Sequence, residues 1–322
     1  MNRQRWQTFR LHNPYLFSLL LLVIIILVNL FFQPNIFERD TLNSNMRVFL
    51  PLIILSAGQA VVILGGGIDI SVGSIVSIVN VILATQVGLD GNPQKMWMWM
   101  GLALVVGMLA GAVNGFFVAY MRLQPIITTY ATSFLYAGLA LFILPDPGGG
   151  IPKTFSDFYS GTTPLGLPLA FFVIAVILLA WAGVQQLRYG RYLTAVGGKA
   201  EAAYQTAVPV SAVQFSTYVI AGLMAALSGI AITMLVRSGN AGTGDALTLS
   251  SITAVVIGGT ALSGGSGGVA GSIIGAVILG LIRNIISFAN IDTWWQTFVN
   301  AAIIVVALAA PGVINLFRRK RR

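Results

Sequence analysis

Asp69 and Arg283 are the only ionisable side chains that fall inside or at the edge of the long apolar stretches of this chain. An ionisable group at membrane depth is costly and by default marks a pathway, a relay or a gate. Asp69 sits in the run Gly65-Gly66-Gly67-Ile68-Asp69-Ile70-Ser71-Val72-Gly73-Ser74. Its carboxylate can line a pathway, accepting hydrogen bonds from a hydroxylated solute or from a gate. It can also cap the helix that starts near Ser71, with Ser71 and Ser74 closing orphan amides. The cap and hinge role is the preferred reading, since a place at the cytoplasmic interface makes the carboxylate cheap. Gln59, Asn80, Asn114, Thr128 and Asn284 add neutral hydrogen-bonding groups within apolar stretches. They suit the passage of hydroxyls without trapping them, although for most of them interhelical bonding is the preferred reading.

Reactive chemistry is poorly supplied. Cys is absent, which excludes disulfides, thiol catalysis and cysteine metal sites. The single histidine, His12, precedes the first apolar stretch and reads as an interfacial polar residue. The sequence offers no nucleophile–base set, carboxylate pair or metal cluster, so no catalytic residue, metal or cofactor is expected. Two peptides mislead. Leu262-Ser263-Gly264-Gly265-Ser266 looks like the signature peptide of an ATP-binding cassette, and Gly198-Lys199-Ala200 like the end of a phosphate loop. A phosphate loop needs glycine where Leu193 stands and a hydroxyl where Ala200 stands, so this chain is not expected to bind ATP.

The elements that must position these residues are membrane spans. Hydrophobic residues make up 57% of the chain and charged residues only 8%, against about 25% in a soluble domain. Stretches near the ~20 apolar residues of a span are Pro14–Phe32, Val48–Leu64, Val72–Val87, Trp97–Tyr120, Pro125–Leu144, Pro168–Val184, Ser211–Val236, Leu247–Leu262, Val269–Ser287 and Thr293–Ala310. The expected fold is all-α: a polytopic bundle of about ten transmembrane helices, some broken. Residues 14–311 form the membrane domain, 1–13 an interfacial cytoplasmic segment and 312–322 a basic cytoplasmic tail. Ten spans put Arg3, Arg5, Arg10, Arg122, Arg188, Arg191, Lys199 and the run Arg318–Arg322 on one side, with Glu201 as the only acid. The other side mixes Arg39, Arg47, Lys95, Lys153 and Arg237 with seven acids. Basic residues near spans stay cytoplasmic, so both termini are expected inside. The net charge of +9 is thus a matter of span ends rather than a nucleic-acid-binding face.

Gly107, Gly111 and Gly115, and likewise Gly271 and Gly275, recur at four-residue spacing and read as close helix packing. Two stretches are short and interrupted by glycine. Ala60-Val61-Val62-Ile63 precedes the first glycine run, and Ala254-Val255-Val256-Ile257 precedes Gly258-Gly259-Thr260-Ala261-Leu262-Ser263-Gly264-Gly265-Ser266-Gly267-Gly268. Gly73-Ser74-Ile75 and Gly271-Ser272-Ile273 follow them, which suggests an internal repeat. Paired broken segments in two halves of a membrane protein point to its pathway. The longest cytoplasmic loop, 185–210, contains a short helix former at Lys199–Ala207, closed by Pro209 and carrying Glu201 near its amino end. It reads equally as a docking knob and as an ordinary interfacial loop. The outer loop Leu144–Leu167 shows no strong period.

Gly66-Gly67-Ile68-Asp69-Ile70-Ser71-Val72-Gly73-Ser74 resembles the Gly-Gly-Ile-Asp-Leu-Ser-Val-Gly-Ser motif of ribose-type sugar permeases of bacterial ATP-binding-cassette importers. The stretch from Gly190-Arg191 to Pro209 resembles their coupling-helix loop, and Ala254–Thr260 with Gly264-Gly265 their late glycine-rich motif. The resemblance implies a subunit of the bacterial inner membrane that forms the pathway with a second permease subunit, identical or sister. It implies a cytoplasmic ATPase gripping the coupling helix and an extracytoplasmic binding protein delivering a monosaccharide or small polyol. Arg191, Gly197, Gly198, Glu201, Ala202 and Ala203 would then belong to the coupling element. Gln59, Asp69, Ser71, Ser74, Asn80, Asn114, Thr128 and Asn284 are the pathway or gate candidates. Many members carry Glu-Leu-Asp where this chain has Thr248-Leu249-Ser250, which makes its outer mouth less acidic. The competing reading is an ion-coupled secondary transporter acting alone, for which only Asp69 offers a coupling carboxylate.

Overall fold

The computed structural model describes residues 16–89, 91–161 and 166–292, with a few further positions between 294 and 305. The segment 1–13 with His12, Asp90, most of the tenth expected span (Thr293–Ala310) and the tail 312–322 lie outside the described residues. Among the described residues the chain is helical, and its one β-bridge joins Gly148 to Gly239.

The helices are α1 (Leu16–Phe32), α2 (Arg39–Leu64), α3 (Val72–Gln86), α4 (Pro93–Gly115), α5 (Pro125–Ile143), α6 (Lys153–Ser160), α7 (Leu169–Gln186), α8 (Arg188–Gly198), α9 (Ala200–Gln205), α10 (Val210–Val236), α11 (Asp245–Ile257) and α12 (Val269–Phe288). Six are long and apolar enough to cross a membrane: α2, α5, α7, α10, α12, and α4 taken with the π-turn Phe116–Tyr120 that extends it. α1, α3 and α11 are apolar but shorter. α3 and α11, at 15 and 13 residues, reach only about 20 Å against a hydrocarbon core of about 30 Å. The expected span Leu247–Leu262 therefore stops early: α11 ends at Ile257, because Gly258 and Gly259 turn the chain.

α2 and α10 form the centre. α10 packs on α2, α3 and α4, while α2 also meets α7, α11 and α12. The face Gly107–Gly111–Gly115 of α4 lies against Gly222, Tyr218 and Phe215 of α10. A Cβ on Gly115 would fall 2.8 Å from the Phe215 carbonyl oxygen, so the helices approach backbone to backbone. Pro51 lies inside α2 and has no N–H to offer the Arg47 carbonyl. Tyr159 Oη donates to that carbonyl at 2.6 Å, and Ser228 Oγ donates to Pro51 O at 2.7 Å. Such replacement bonds are what make proline tolerable in a span.

Two elements depart from the sequence expectation. α6 arises within the loop expected to lack a period. Phe155 and Tyr159, one turn apart, are its buried residues, and eight residues are too few for a visible pattern. The short helix expected within Lys199–Ala207 is present as α9, and the departure is α8, which precedes it. Lys199 is extended (φ −159°) and separates α8 from α9, and α8 buries Gly190, Leu193, Val196 and Gly197 on one face. Two glycines in that face hid the period.

The bundle has two ends of unlike charge. Arg122, Arg188, Arg191 and Lys199 are exposed at one, beside Glu201. Arg122, Glu201 and Tyr204 line one groove between the Met121–Gln124 turn and α9. The other end gathers the start of α2, the loop around α6 and the segment after α10, tied by Asn43 Nδ2 to Ser160 O (2.7 Å) and Gly150 N to Ala84 O (2.8 Å).

Candidate functional site

The two broken stretches end in the same way. After α2, Gly66 N donates to Ile63 O and Gly67 N to Val62 O, with Gly66 at φ +84°. After α11, Gly259 N donates to Val256 O and Thr260 N to Val255 O, with Gly259 at φ +85°. Each is a Schellman turn around a left-handed glycine. The turns set Val61–Leu64 against Ala254–Ile257, one residue out of register with the shared tetrapeptide. The last carbonyl of each helix is filled from elsewhere, Leu64 O by Gly265 N (3.1 Å) and Ile257 O by Ser18 Oγ of α1 (2.7 Å).

The chain leaves the first turn to enter the bundle as α3, and it enters the bundle as α11 before reaching the second. The amino ends of α3 and α11 meet there: Gly73 N donates to Thr248 Oγ1 (3.1 Å) and Gly244 N to Ser77 Oγ (3.0 Å). The two backbones touch, and a Cβ on either Gly73 or Gly244 would overlap the other's carbonyl. Thr248 opens the tripeptide Thr248-Leu249-Ser250, and its hydroxyl is the acceptor that joins the two amino ends.

Asp69 is wholly buried among protein groups and is not a residue of the exposed interface. Its Oδ1 accepts from Ser71 N (2.8 Å) and Ser71 Oγ (2.7 Å), and its Oδ2 from Asn114 Nδ2 (3.4 Å). Asn114 also donates to Ser71 Oγ (2.7 Å) and accepts from Thr132 Oγ1 (2.7 Å). Ile70 N donates to Thr129 Oγ1 (3.1 Å). The re-entrant loop is thus fastened to α4 and α5. Ser71, at the helix start, makes no capping bond of its own. Ser74 is buried in α3, and Thr128 bonds back to Gln124 O of its own helix. Thr129, Thr132, Ser77 and Thr248 belong to these networks but carry no signal in an apolar sequence, where a hydroxyl commonly satisfies its own helix.

Asn80 anchors the segment after α10. Its Nδ2 donates to Thr233 Oγ1 (2.9 Å) and Ser238 O (3.0 Å), and its Oδ1 accepts from Asn240 N (2.8 Å) and Thr243 Oγ1 (3.2 Å). Asn80→Ala is expected to cost about 2–4 kcal/mol, because buried partners are left unpaired. A thermal-unfolding midpoint equal to the unaltered chain would refute that anchoring role.

Gln59 stands apart. Both its amide atoms are buried without a hydrogen-bonding partner, and so is Ser56 Oγ one turn away on the same helix. The Tyr218 hydroxyl, packed against Gly67, and Asn284 Nδ2 share that condition.

At the basic end three glycine segments converge. Gly197 of α8 lies against Leu64 at the end of α2 and Gly265 of the late glycine run. The expected coupling residues therefore divide. Arg191, Gly198, Glu201 and Ala202 are exposed, while Gly197 and Ala203 are buried within this chain. Tyr204, not singled out in the sequence, is 74% exposed beside them. Tyr189 holds α8 to α10 through a 2.7 Å hydrogen bond with Ser216; burial pushes its phenol pKa up, and that bond acts in the opposite direction.

The sequence profile of the family described as branched-chain amino acid transport system / permease component matches residues 41–308. The chain belongs to that family. That range includes every element of the site just described except Ser18 of α1. The chain is 31% identical over 305 residues to the ribose import permease protein RbsC of Haemophilus influenzae, covering 92% of this chain and 93% of that protein. It is 30% identical over 298 residues to its counterpart in Escherichia coli K12 (90% and 91%). It is 29% identical over 311 residues to the autoinducer 2 import system permease protein LsrD of Photorhabdus temperata (94% and 92%). No solved structure matches significantly. This permease is a multi-pass helical membrane protein related to permeases of sugar-importing ATP-binding-cassette systems.

Proposed function

We propose that this permease forms the translocation pathway of an ATP-binding-cassette importer for a monosaccharide or related small polyol. A separate cytoplasmic ATPase couples to it through α9, a binding protein delivers the solute from outside, and a second permease subunit completes the pathway. The basic end, carrying α8 and α9, is the cytoplasmic one. The observation that carries this reading is the near full-length similarity to import permeases named for ribose and for autoinducer 2. The exposed α9 fits it, since it follows α8, whose Gly197 packs on Gly66 of the first broken stretch and on Gly264 and Gly265 of the second. The rival, an ion-coupled transporter acting alone, has only Asp69 for a coupling carboxylate, and both oxygens of that carboxylate are already engaged.

The pathway runs between the two broken segments, past the paired amino ends of α3 and α11. Asp69, Ser71, Asn114 and Asn80 hold those ends in place; Ser74, Thr128 and Asn284 stand along the same spans. Gln59 contacts the passing solute. An unpaired buried amide is costly, by about 1–3 kcal/mol per group, and a hydroxylated solute supplies both a donor and an acceptor. Gln59→Leu is therefore expected to raise thermal stability while lowering uptake roughly tenfold, the effect of about 1.4 kcal/mol. Unchanged uptake would remove Gln59 from the pathway.

The function is tested in liposomes. Labelled ribose, other pentoses, hexoses and autoinducer 2 are offered to the assembled permease, ATPase and binding protein, and separately to the permease alone under ion gradients. ATP-dependent uptake by the assembly alone is expected. Gradient-driven uptake by the lone chain would reject the importer reading.

A further inference from the structure

The turns at the ends of α2 and α8 and the glycine run after α11 form a single backbone junction. We infer that this junction is the rigid link through which movement of α8 and α9 reaches both broken spans, with Gly197, Gly264 and Gly265 as its positioning residues. The inference rests on the coupling role of α9 given above.

Its geometry is backbone on backbone. Leu64 O accepts from Gly265 N at 3.1 Å. A Cβ on Gly197 would overlap Leu64 O and lie 2.7 Å from Gly265 N. On Gly264 it would lie 2.6 Å from Gly197 O and 2.9 Å from Gly66 Cα; on Gly265, 2.6 Å from Gly198 Cα. Gly264 and Gly265 have φ of +83° and +72°, a region that side chains rarely tolerate. Leu193, fully buried on the same face of α8, reaches Gly65.

Contacts through side chains can slide, because rotamers change at small cost. A junction of main chain on main chain has no such slack and must move as one piece or separate. This one joins the three segments that coupling requires. Gly66 closes the first broken stretch, Gly264 and Gly265 lie in the loop between α11 and α12, and Gly197 ends the helix that carries α9. A displacement of α9 therefore acts at once on the turn that leads into the short α3 and on the loop that follows the short α11. The sequence holds no cysteine, so introduced pairs report only the chosen positions.

The assembled importer, with its ATPase bound, supplies the test. Leu249→Cys, exposed on α11, reports the motion through its maleimide labelling. Adding ATP and vanadate should change that labelling severalfold. With Gly197→Ala the change should vanish while the ATPase stays bound and active. Gly183→Ala, which meets open space on α7, should behave as the unaltered chain. A Gly197→Ala importer that keeps the nucleotide-driven change, or an unaltered importer that shows none, would overturn the link. Spin labels on Thr194→Cys and Ser263→Cys, both exposed at the junction, decide independently if Gly197→Ala does not fold. Their separation should stay constant through the cycle, and a shift of about 5 Å, one helical turn, would overturn the inference. Normal ATPase binding by an importer carrying Ala202→Trp in α9 would instead reject the underlying coupling role.

Discussion

Ala202→Trp is expected to abolish co-purification of the partner ATPase while leaving the yield of membrane-inserted permease unchanged. Ala202 is exposed in the middle of α9, between Glu201 and the protruding Tyr204, so an indole there meets nothing within this chain. With α9 as the proposed docking element, it would hold that surface away from the ATPase. Losing the fit of one small helix should weaken docking by at least about 3 kcal/mol, more than a hundredfold. Ala203 serves as the contrasting position. It is only 5% exposed, so Ala203→Trp should damage the fold of the loop itself and lower yield. Affinity capture of the ATPase from detergent extracts checks both. Normal capture with Ala202→Trp would show that α9 is not the docking element.

Asp69→Leu is expected to prevent accumulation of folded permease. The substitution fills the space of the carboxylate without its oxygens and leaves two buried donors, Ser71 N and Ser71 Oγ, without their acceptor, while Asn114 Nδ2 keeps Ser71 Oγ. Each orphan costs about 1–3 kcal/mol, and the two together take a large part of the stability of an ordinary domain. Asp69→Asn retains an oxygen for Ser71 and should cost only about 1 kcal/mol, the worth of a helix cap. Monodispersity and thermal midpoint in detergent distinguish the two. If Leu and Asn behave alike, the carboxylate is not the keystone of the loop. If Asn folds normally and transport still stops, the charge itself acts in gating.

Much of this arrangement is legible in the sequence. Each of the first nine expected spans overlaps a helix, because a hydrophobic run in lipid can satisfy its backbone only internally, but only six of these helices are long and apolar enough to cross a membrane. The small-residue face of α4 and the two glycine breaks are equally plain. The helix boundaries at the breaks are less so. The matching tetrapeptides align by letter, whereas the turns align by the left-handed glycines Gly66 and Gly259, one residue away. The helices α6 and α8 escaped notice because their inward faces are short or built partly from glycine, which has no hydropathy signal. The sequence suggests a cheap interfacial place for Asp69, yet the fold buries it and brings Asn114 of α4 to join the Ser71 donors.

Alone, the sequence determined that the chain is a membrane bundle, which of its ends is the more basic, where its spans break, and to which family it belongs. Those properties follow from composition and local pattern, and each residue contributes to them irrespective of distant partners. Only the tertiary structure decided that Gly197 faces inward to Leu64 and Gly265 rather than outward to a partner, that Asn114 and Thr132 hold Asp69, and that Gln59 is left unpaired. These depend on which helices come to lie side by side, and main-chain contact between residues almost two hundred positions apart leaves no trace in either segment read by itself.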